Sequence, residues 1–259
     1  RMTCKVIIPI YRQPNADEAR AMRHNRELLS KWPHAIIAPE DLALEGIEQI
    51  CPETEIIRVS DEWLGRRNGI AGYNRMMFSE AFYRMFEGYD YILICHNDAW
   101  IFRDELAEWL DKGYDCVAAP WVRRRVYNLP IIKQYMVLRA WAKHRKGEKC
   151  RADLYGKIGN GGLSLRKVES FASACRKYNN EIEQAFSQGG HLNNEDVFWA
   201  TVPQEFRYPE WQEALGFAID TNPKYCYNLR QQQLPMGCHS WSKPRMWKFW
   251  KDIIKEEAV

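Results

Sequence analysis

The sequence predicts an α/β protein with a mainly parallel central sheet and helices on both of its sides. Three observations predict it. Short β-rich apolar runs recur between residues 3 and 120, stretches of helical periodicity separate them, and Pro, Gly or a polar cluster stops each run. Strands that alternate with helices are covered on both faces, so they read as continuous apolar runs rather than alternating ones.

In order, Cys4–Ile10 (CKVIIPI) reads as a first strand, stopped by Pro9 and Tyr11. Asp17–Trp32 reads as a helix with Leu28, Leu29 and Trp32 on one face. Ala35–Ala38 and Glu55–Val59 are further short strands. From Ile70 to Phe86, apolar residues recur at Tyr73, Met77, Ala81 and Met85, with Phe78, Phe82 and Phe86 alongside, which predicts one helix with a wide buried face. Tyr91–Cys95 is the next strand. Asp104–Lys112 is a helix closed by Gly113, a residue suited to a helix C-terminus. Asp115–Ala119 is a strand stopped by Pro120. Over residues 121–158 the rhythm breaks for a basic insert with a helical stretch at Ile131–His144. It resumes with a strand at Gly162–Arg166, a helix at Lys167–Tyr178 and a helix over Glu195–Thr201. Residues 243–259 predict an amphipathic C-terminal helix. A single domain over residues 1–259, with 121–158 inserted in it, is the expected organisation.

Composition narrows the class. A chain of 259 residues can bury an ample core, and 46% hydrophobic with 27% charged residues excludes a disordered chain. No apolar stretch approaches the ~18 residues of a spanning helix. Eight cysteines without a Cys-x-x-Cys pair argue against a zinc site or a disulfide framework. No signal-peptide pattern precedes Thr3, so a reducing cytoplasmic location is expected.

The net charge of +3 conceals an asymmetry. Residues 121–151 hold ten Lys or Arg against the single acid Glu148, a charge of +9 that leaves −6 on the remainder. Such a block implies an anionic partner. Ile131, Ile132, Tyr135, Met136, Leu138 and Trp141 lie among those cations, and an amphipathic helix of this kind can rest on an anionic membrane, each basic residue adding ~1 kcal/mol. Met246–Trp250 (MWKFW) repeats the chemistry. A nucleic-acid-binding module is disfavoured, because it leaves the acids and glycines below without a role.

Four stretches carry candidate chemistry. Tyr91–Cys95 ends abruptly in His96-Asn97-Asp98, placing a carboxylate where an α/β sheet opens its ligand crevice. Gly159-Asn160-Gly161-Gly162, Asn194-Glu195-Asp196 and Gly237-Cys238-His239 follow. Each has an ordinary structural explanation: a capping Asp, a tight turn, acids favouring a helix dipole, a buried histidine. Their order and spacing argue for more. Sugar transfer from a diphosphate needs a metal-binding group near the leaving phosphates, a carboxylate to take the acceptor proton, and backbone that sugars can approach.

A hydrophobic strand ending in x-x-D, then a Gly-Gly strand, an E-D pair and a late His resembles the GT-A plan, that of the nucleotide-diphospho-sugar transferases. More narrowly, Tyr89–Trp121, Gly159–Arg166 (GNGGLSLR), Asn194–Phe198 (NEDVF) and Pro235–Trp241 (PMGCHSW) resemble a largely uncharacterised bacterial and fungal family of that fold. The resemblance implies a divalent metal, Mn²⁺ or Mg²⁺, held by Asp98, His96 and His239, with His96 standing where the family's metal motif begins with an acid. It implies a nucleotide-sugar donor bordered by Pro9, Ile10, Tyr11, Tyr73, Asn74 and Asn97, and a glycan or lipid-linked acceptor near Asn160, Gly161 and Gly162. Asp196 would be the base and Glu195 its acceptor-positioning neighbour, giving inversion at the anomeric carbon. A nucleotidyltransferase would share the metal and diphosphate, but it opens with a Gly-rich basic loop, which Pro9–Pro14 is not.

Overall fold

The computed structural model describes residues 2–65 and 67–256. The chain runs through β1 (Cys4–Pro9), α1 (Ala16–Leu28), β2 (His34–Pro39), α2 (Ile47–Ile50), β3 (Glu55–Val59), α3 (Gly69–Met77), α4 (Glu80–Arg84), β4 (Tyr91–Cys95), β5 (Ala99–Ile101), α5 (Leu106–Asp111) and β6 (Cys116–Pro120). It continues with α6 (Pro130–Arg145), β7 (Ile158–Lys167), α7 (Val168–Lys177), α8 (Asn179–Gln188), α9 (Glu195–Thr201) and α10 (Trp211–Phe217). β8 (Ala218–Ile219), α11 (Pro223–Leu229), β9 (Gly237–His239) and α12 (Pro244–Glu256) complete it.

The main sheet has the order β3-β2-β1-β4-β7-β6. β1 to β4 pair in parallel, and β7 runs antiparallel to both β4 and β6. A smaller sheet has the order β5-β9-β8. Along β1, Val6 and Ile8 enter one core with Leu93, Val117 and Leu165, while Ile7 enters the other with Ile92 and Ile94. Alternate side chains therefore feed two separate cores, as a sheet covered on both faces requires. α1 starts in a capping box, in which Asn15 Oδ1 accepts the Glu18 N–H and the Glu18 carboxylate accepts the Asn15 N–H. Gly113 has φ +68° beyond α5, as its expected capping role needs.

Three expectations are corrected. The single helix predicted over Ile70–Phe86 is two, because Ser79 is extended (φ −92°, ψ 123°) between α3 and α4. Met76, Met77, Phe82 and Phe86 still enter one core, so the apolar period survives the break. The glycine string is not a turn before a strand but lies within β7, and the β6–β7 register jumps from Ala118↔Ser164 to Ala119↔Asn160. Gly161–Leu163 thus bulges away from β6, a device that re-aims a strand beside a site. The two basic-aromatic segments also part company. α12 buries Trp250 and Ile254 against Trp100, Phe102 and Trp241, so the face expected to touch a membrane is turned into the protein. Residues 257–259 of that expected helix lie outside the described residues.

The insert behaves differently. No residue of α6 is buried. Ile132, Met136 and Ala140 are half-buried on one side, whereas Ile131, Tyr135, Leu138 and Trp141 are exposed, Ile131 at 83%. Its apolar residues therefore stand on two sides rather than on the single face expected. Among the described residues no helix is long and apolar enough to cross a membrane, and all eight cysteines are free and buried.

Candidate active site

The site begins where β4 leaves the main sheet. His96-Asn97-Asp98 leads at once into β5, so the tripeptide hangs between the two sheets. The His96 N–H donates to the Gly162 carbonyl (2.9 Å) on one side, and Ala99 pairs with His239 on the other. His96, Asp98 and His239 consequently bring one ligand atom each within 4.8 Å of one another. His239 Nε2 is 3.0 Å from Asp98 Oδ1, and its Nδ1 is 2.5 Å from Asp220 Oδ1. Asn160 Nδ2 donates to the other Asp220 oxygen, and Tyr73 Oη lies 2.9 Å from His96 Nε2. Gly162 makes the arrangement possible, since a Cβ there would stand 2.2 Å from the His239 ring.

Charge follows from these contacts. Burial opposes an imidazolium at His239, but Asp220 and Asp98 outweigh it and push the group up to about 10. Burial, with His239 nearby, brings His96 down to about 4, so it is neutral at pH 7. Burial also favours a protonated Asp98, yet His239, His96 and Lys243 hold its carboxyl below the usual range. One ionised carboxylate and two imidazole nitrogens within 4.8 Å fit a divalent cation, provided His239 gives up its proton on binding.

Across β7 lies the start of α9. Glu195 is buried, and Arg166 Nη2 donates to both of its oxygens (2.9 and 3.2 Å). Arg166, fully buried, also donates to Tyr83 Oη (2.9 Å) and Ser164 Oγ (3.2 Å). Burial drives the Glu195 carboxyl up and Arg166 opposes it. Arg166 keeps its proton, and its charge and two hydrogen bonds are what favour the ionised form of Glu195 against burial. Asn74 holds the helix start, accepting the Glu195 N–H (3.1 Å) and donating to Asn194 Oδ1 (3.0 Å). Asp196 makes no ion pair among the described residues, and its Oδ1 accepts the Val197 N–H (2.8 Å). Burial raises its carboxyl to about 6. Gly161 faces this side, a Cβ there falling 2.9 Å from Glu195 Oε1. The room released by both glycines is thus occupied by the protein's own groups.

One cleft of about 750 Å³ takes in both sides, a volume suited to a nucleotide-sized ligand. Of the residues expected from sequence, Pro9, Tyr11, Tyr73, Asn74, His96, Asn97, Asn160, Gly161, Gly162, Glu195, Asp196 and His239 line it. Asp98 stands behind His239. Ile10 does not reach the cleft; it is buried in the core. Asp220 and Lys243 line the cleft without having been anticipated. Phe217-Ala218-Ile219-Asp220 carries the same signal as the run before Asp98, an apolar strand ending in an acid, so Asp220 was open to detection.

A profile of the family described as "Protein of unknown function (DUF5672)" matches residues 53–239, most of the chain, from before β3 to His239. The chain belongs to the DUF5672 family. No curated protein matches it. Among solved structures, this DUF5672 member resembles the apo form of mouse xyloside xylosyltransferase 1 (TM-score 0.55, 11% identity, 94% of this chain and 99% of that one). It also resembles the galactosyltransferase LgtC in complex with donor and acceptor sugar analogs (TM-score 0.57, 12% identity, 97% and 94%). A third likeness is to the apo glycosyltransferase GlyE of Streptococcus pneumoniae TIGR4 (TM-score 0.53, 13% identity, 98% and 62%). At such identities the likeness is one of fold, and the fold is GT-A, as the motifs led us to expect.

Proposed function

We propose that the protein is a glycosyltransferase that moves a sugar from a nucleotide-diphosphate donor to a hydroxyl of a glycan or lipid-linked acceptor. The observation that carries this reading is a single cleft that joins the His96–Asp98–His239 cluster to Asp196, a carboxyl in no ion pair among the described residues. In the reaction the bond from the anomeric carbon to the diphosphate oxygen breaks, and a bond to the acceptor oxygen forms. The acceptor proton passes to Asp196. Its raised affinity for protons makes Asp196 a stronger base than an exposed Asp while leaving it ionised at pH 7.

Pro9 and Tyr11 border the nucleotide base in this reading, and Tyr73 and Asn97 its ribose and diphosphate. His96, Asp98 and His239 would hold the cation, which when bound offsets charge on the departing diphosphate. Two imidazoles beside one carboxylate favour Mn²⁺ over Mg²⁺, which prefers oxygen ligands. Lys243 adds a fixed positive charge at the same end of the cleft. Asn74 and the Arg166–Glu195 pair fix the start of α9 and therefore the place of Asp196. Gly161 faces Glu195 and Asp196 while Gly162 faces His239, so in this reading the base and the leaving group would lie on opposite sides of β7. That separation supports a direct displacement with inversion.

The test is a thermal-shift panel of nucleoside diphosphates and nucleotide sugars, with and without Mn²⁺ or Mg²⁺. A metal-dependent rise in melting temperature is expected. No shift with any nucleotide under any metal condition would overturn the proposal. For α6, the exposed Ile131, Tyr135, Leu138 and Trp141 among basic residues support docking on an anionic membrane at its cytoplasmic face. Co-sedimentation with anionic but not neutral vesicles is the expected result, and binding to neither kind removes the docking.

A further inference from the structure

A second hollow, of about 400 Å³, opens beside the cleft and shares Trp121, Arg151 and Thr221 with it. Arg124, Arg151 and Arg245 line it together with Tyr127 and Tyr155, and no acid does. Several arginines elsewhere are matched to acids, as in Arg12–Glu18, Arg84–Glu169 and Arg166–Glu195. Among the described residues, no ion pair or side-chain hydrogen bond engages Arg124, Arg151 or Arg245. Three such groups come from separate parts of the chain, the segment after β6, the turn before β7 and the start of α12. Tyr155 lies close enough to Arg123, Arg124 and Arg151 to feel all three charges. Positive charges that line one hollow from three sides suit an anion with several oxygens. The planar guanidinium fork matches a phosphate geometrically as well as in charge.

The position of the hollow limits what that anion belongs to. Trp121 follows β6, at one edge of the order β3-β2-β1-β4-β7-β6, whereas Pro9 ends β1 and Tyr11 lies just beyond it. β4 and β7 lie between, so the arginines are on the far side of the His96–Asp98–His239 cluster from the region assigned to the nucleotide base. We propose that this hollow is a phosphate subsite, and that the acceptor carries a phosphate or phosphodiester gripped by Arg124, Arg151 and Arg245. The assignment of that phosphate to an acceptor rests on the glycosyl-transfer reading; the anion site itself does not.

Titration calorimetry on the full chain tests it, with glucose 1-phosphate and inorganic phosphate as probes. Wild type is expected to bind both. The Arg124→Gln/Arg245→Gln double variant is expected to bind glucose 1-phosphate at least about tenfold more weakly, as loss of charge-assisted hydrogen bonds implies. Arg124→Lys/Arg245→Lys, which keeps charge but loses the fork, should recover part of the affinity. Unweakened binding in a folded Gln double variant would sink the proposal, because the phosphate would then sit elsewhere. A vesicle arm compares phosphatidylcholine carrying a polyprenyl phosphate with phosphatidylcholine carrying equal charge as phosphatidylglycerol. Preference for the former, lost in the Gln double variant, identifies a lipid-linked phosphate. Binding of glucose 1-phosphate without that preference identifies a soluble sugar phosphate. No wild-type binding of either probe or of the polyprenyl phosphate overturns the subsite. Nucleoside diphosphate binding to wild type is measured separately: its failure with phosphate binding intact removes the glycosyl-transfer reading and leaves the anion site.

Discussion

Asp98 and Asp196 are mostly buried aspartates serving one cleft, yet burial is overcome at the first and prevails at the second. Asp98 has His239 at 3.0 Å, with His96 and Lys243 nearby, and these hold it ionised. Asp196 has one backbone N–H, a more distant Arg166 and an unfavourable Asp220, so its carboxyl rises to about 6. The difference shows that a residue type sets only a starting affinity for protons, and its immediate partners decide the chemistry it can do. An acid held ionised suits a cation, and an acid with raised proton affinity suits proton transfer.

The largest expected effect tests that division directly. Asp196→Asn should lower turnover by roughly 10²–10⁴-fold while leaving nucleotide binding in place, as removal of a general base does. Asp98→Ala should instead abolish the metal-dependent nucleotide shift. Equal loss of binding in both variants would break the comparison. Next, the Arg166–Glu195 pair should prove structural. Arg166→Met alone strands a buried carboxylate and should cost about 3–5 kcal/mol in denaturant unfolding, whereas Arg166→Met/Glu195→Leu should recover most of it. A small loss in the single variant would mean that Glu195 is not held by that pair.

The smaller effects concern pH. Asp196 must be ionised to accept a proton, so kcat/KM should rise with pH through about 6 and level off above it. A rise centred near pH 4 would indicate an ordinary carboxylate. Stability should run the other way. A carboxyl whose affinity for protons is raised by folding contributes stability that is present below about pH 4 and lost as pH rises through about 6. Asp196→Asn should therefore be more stable than wild type at pH 7, by on the order of 1–3 kcal/mol, with the gap closing towards pH 4. Thermal unfolding at the two pH values measures it.

Much of this was legible before any coordinates. β1, β3 and β4 announce themselves as apolar runs within a residue of their observed bounds, and the acid after β4 marked the cleft. Asp220 carried a similar mark in a shorter run. The α3–α4 break was hidden because two helices feeding one core keep the apolar period of one. The β7 bulge was hidden because its register depends on β4 and β6 rather than on its own glycines.

By itself, then, the sequence determined the α/β alternation, the parallel half of the main sheet and the residue types available to the cleft, all matters of local pattern and composition. Tertiary structure decided the rest. Only the pairing of β5 with β9 sets His239 against Asp98, only the neighbours of each acid set its charge, and only packing turns Trp250 inward while leaving Trp141 exposed. Those outcomes depend on contacts between residues far apart in the chain, and no local pattern encodes which distant surface a side chain will meet.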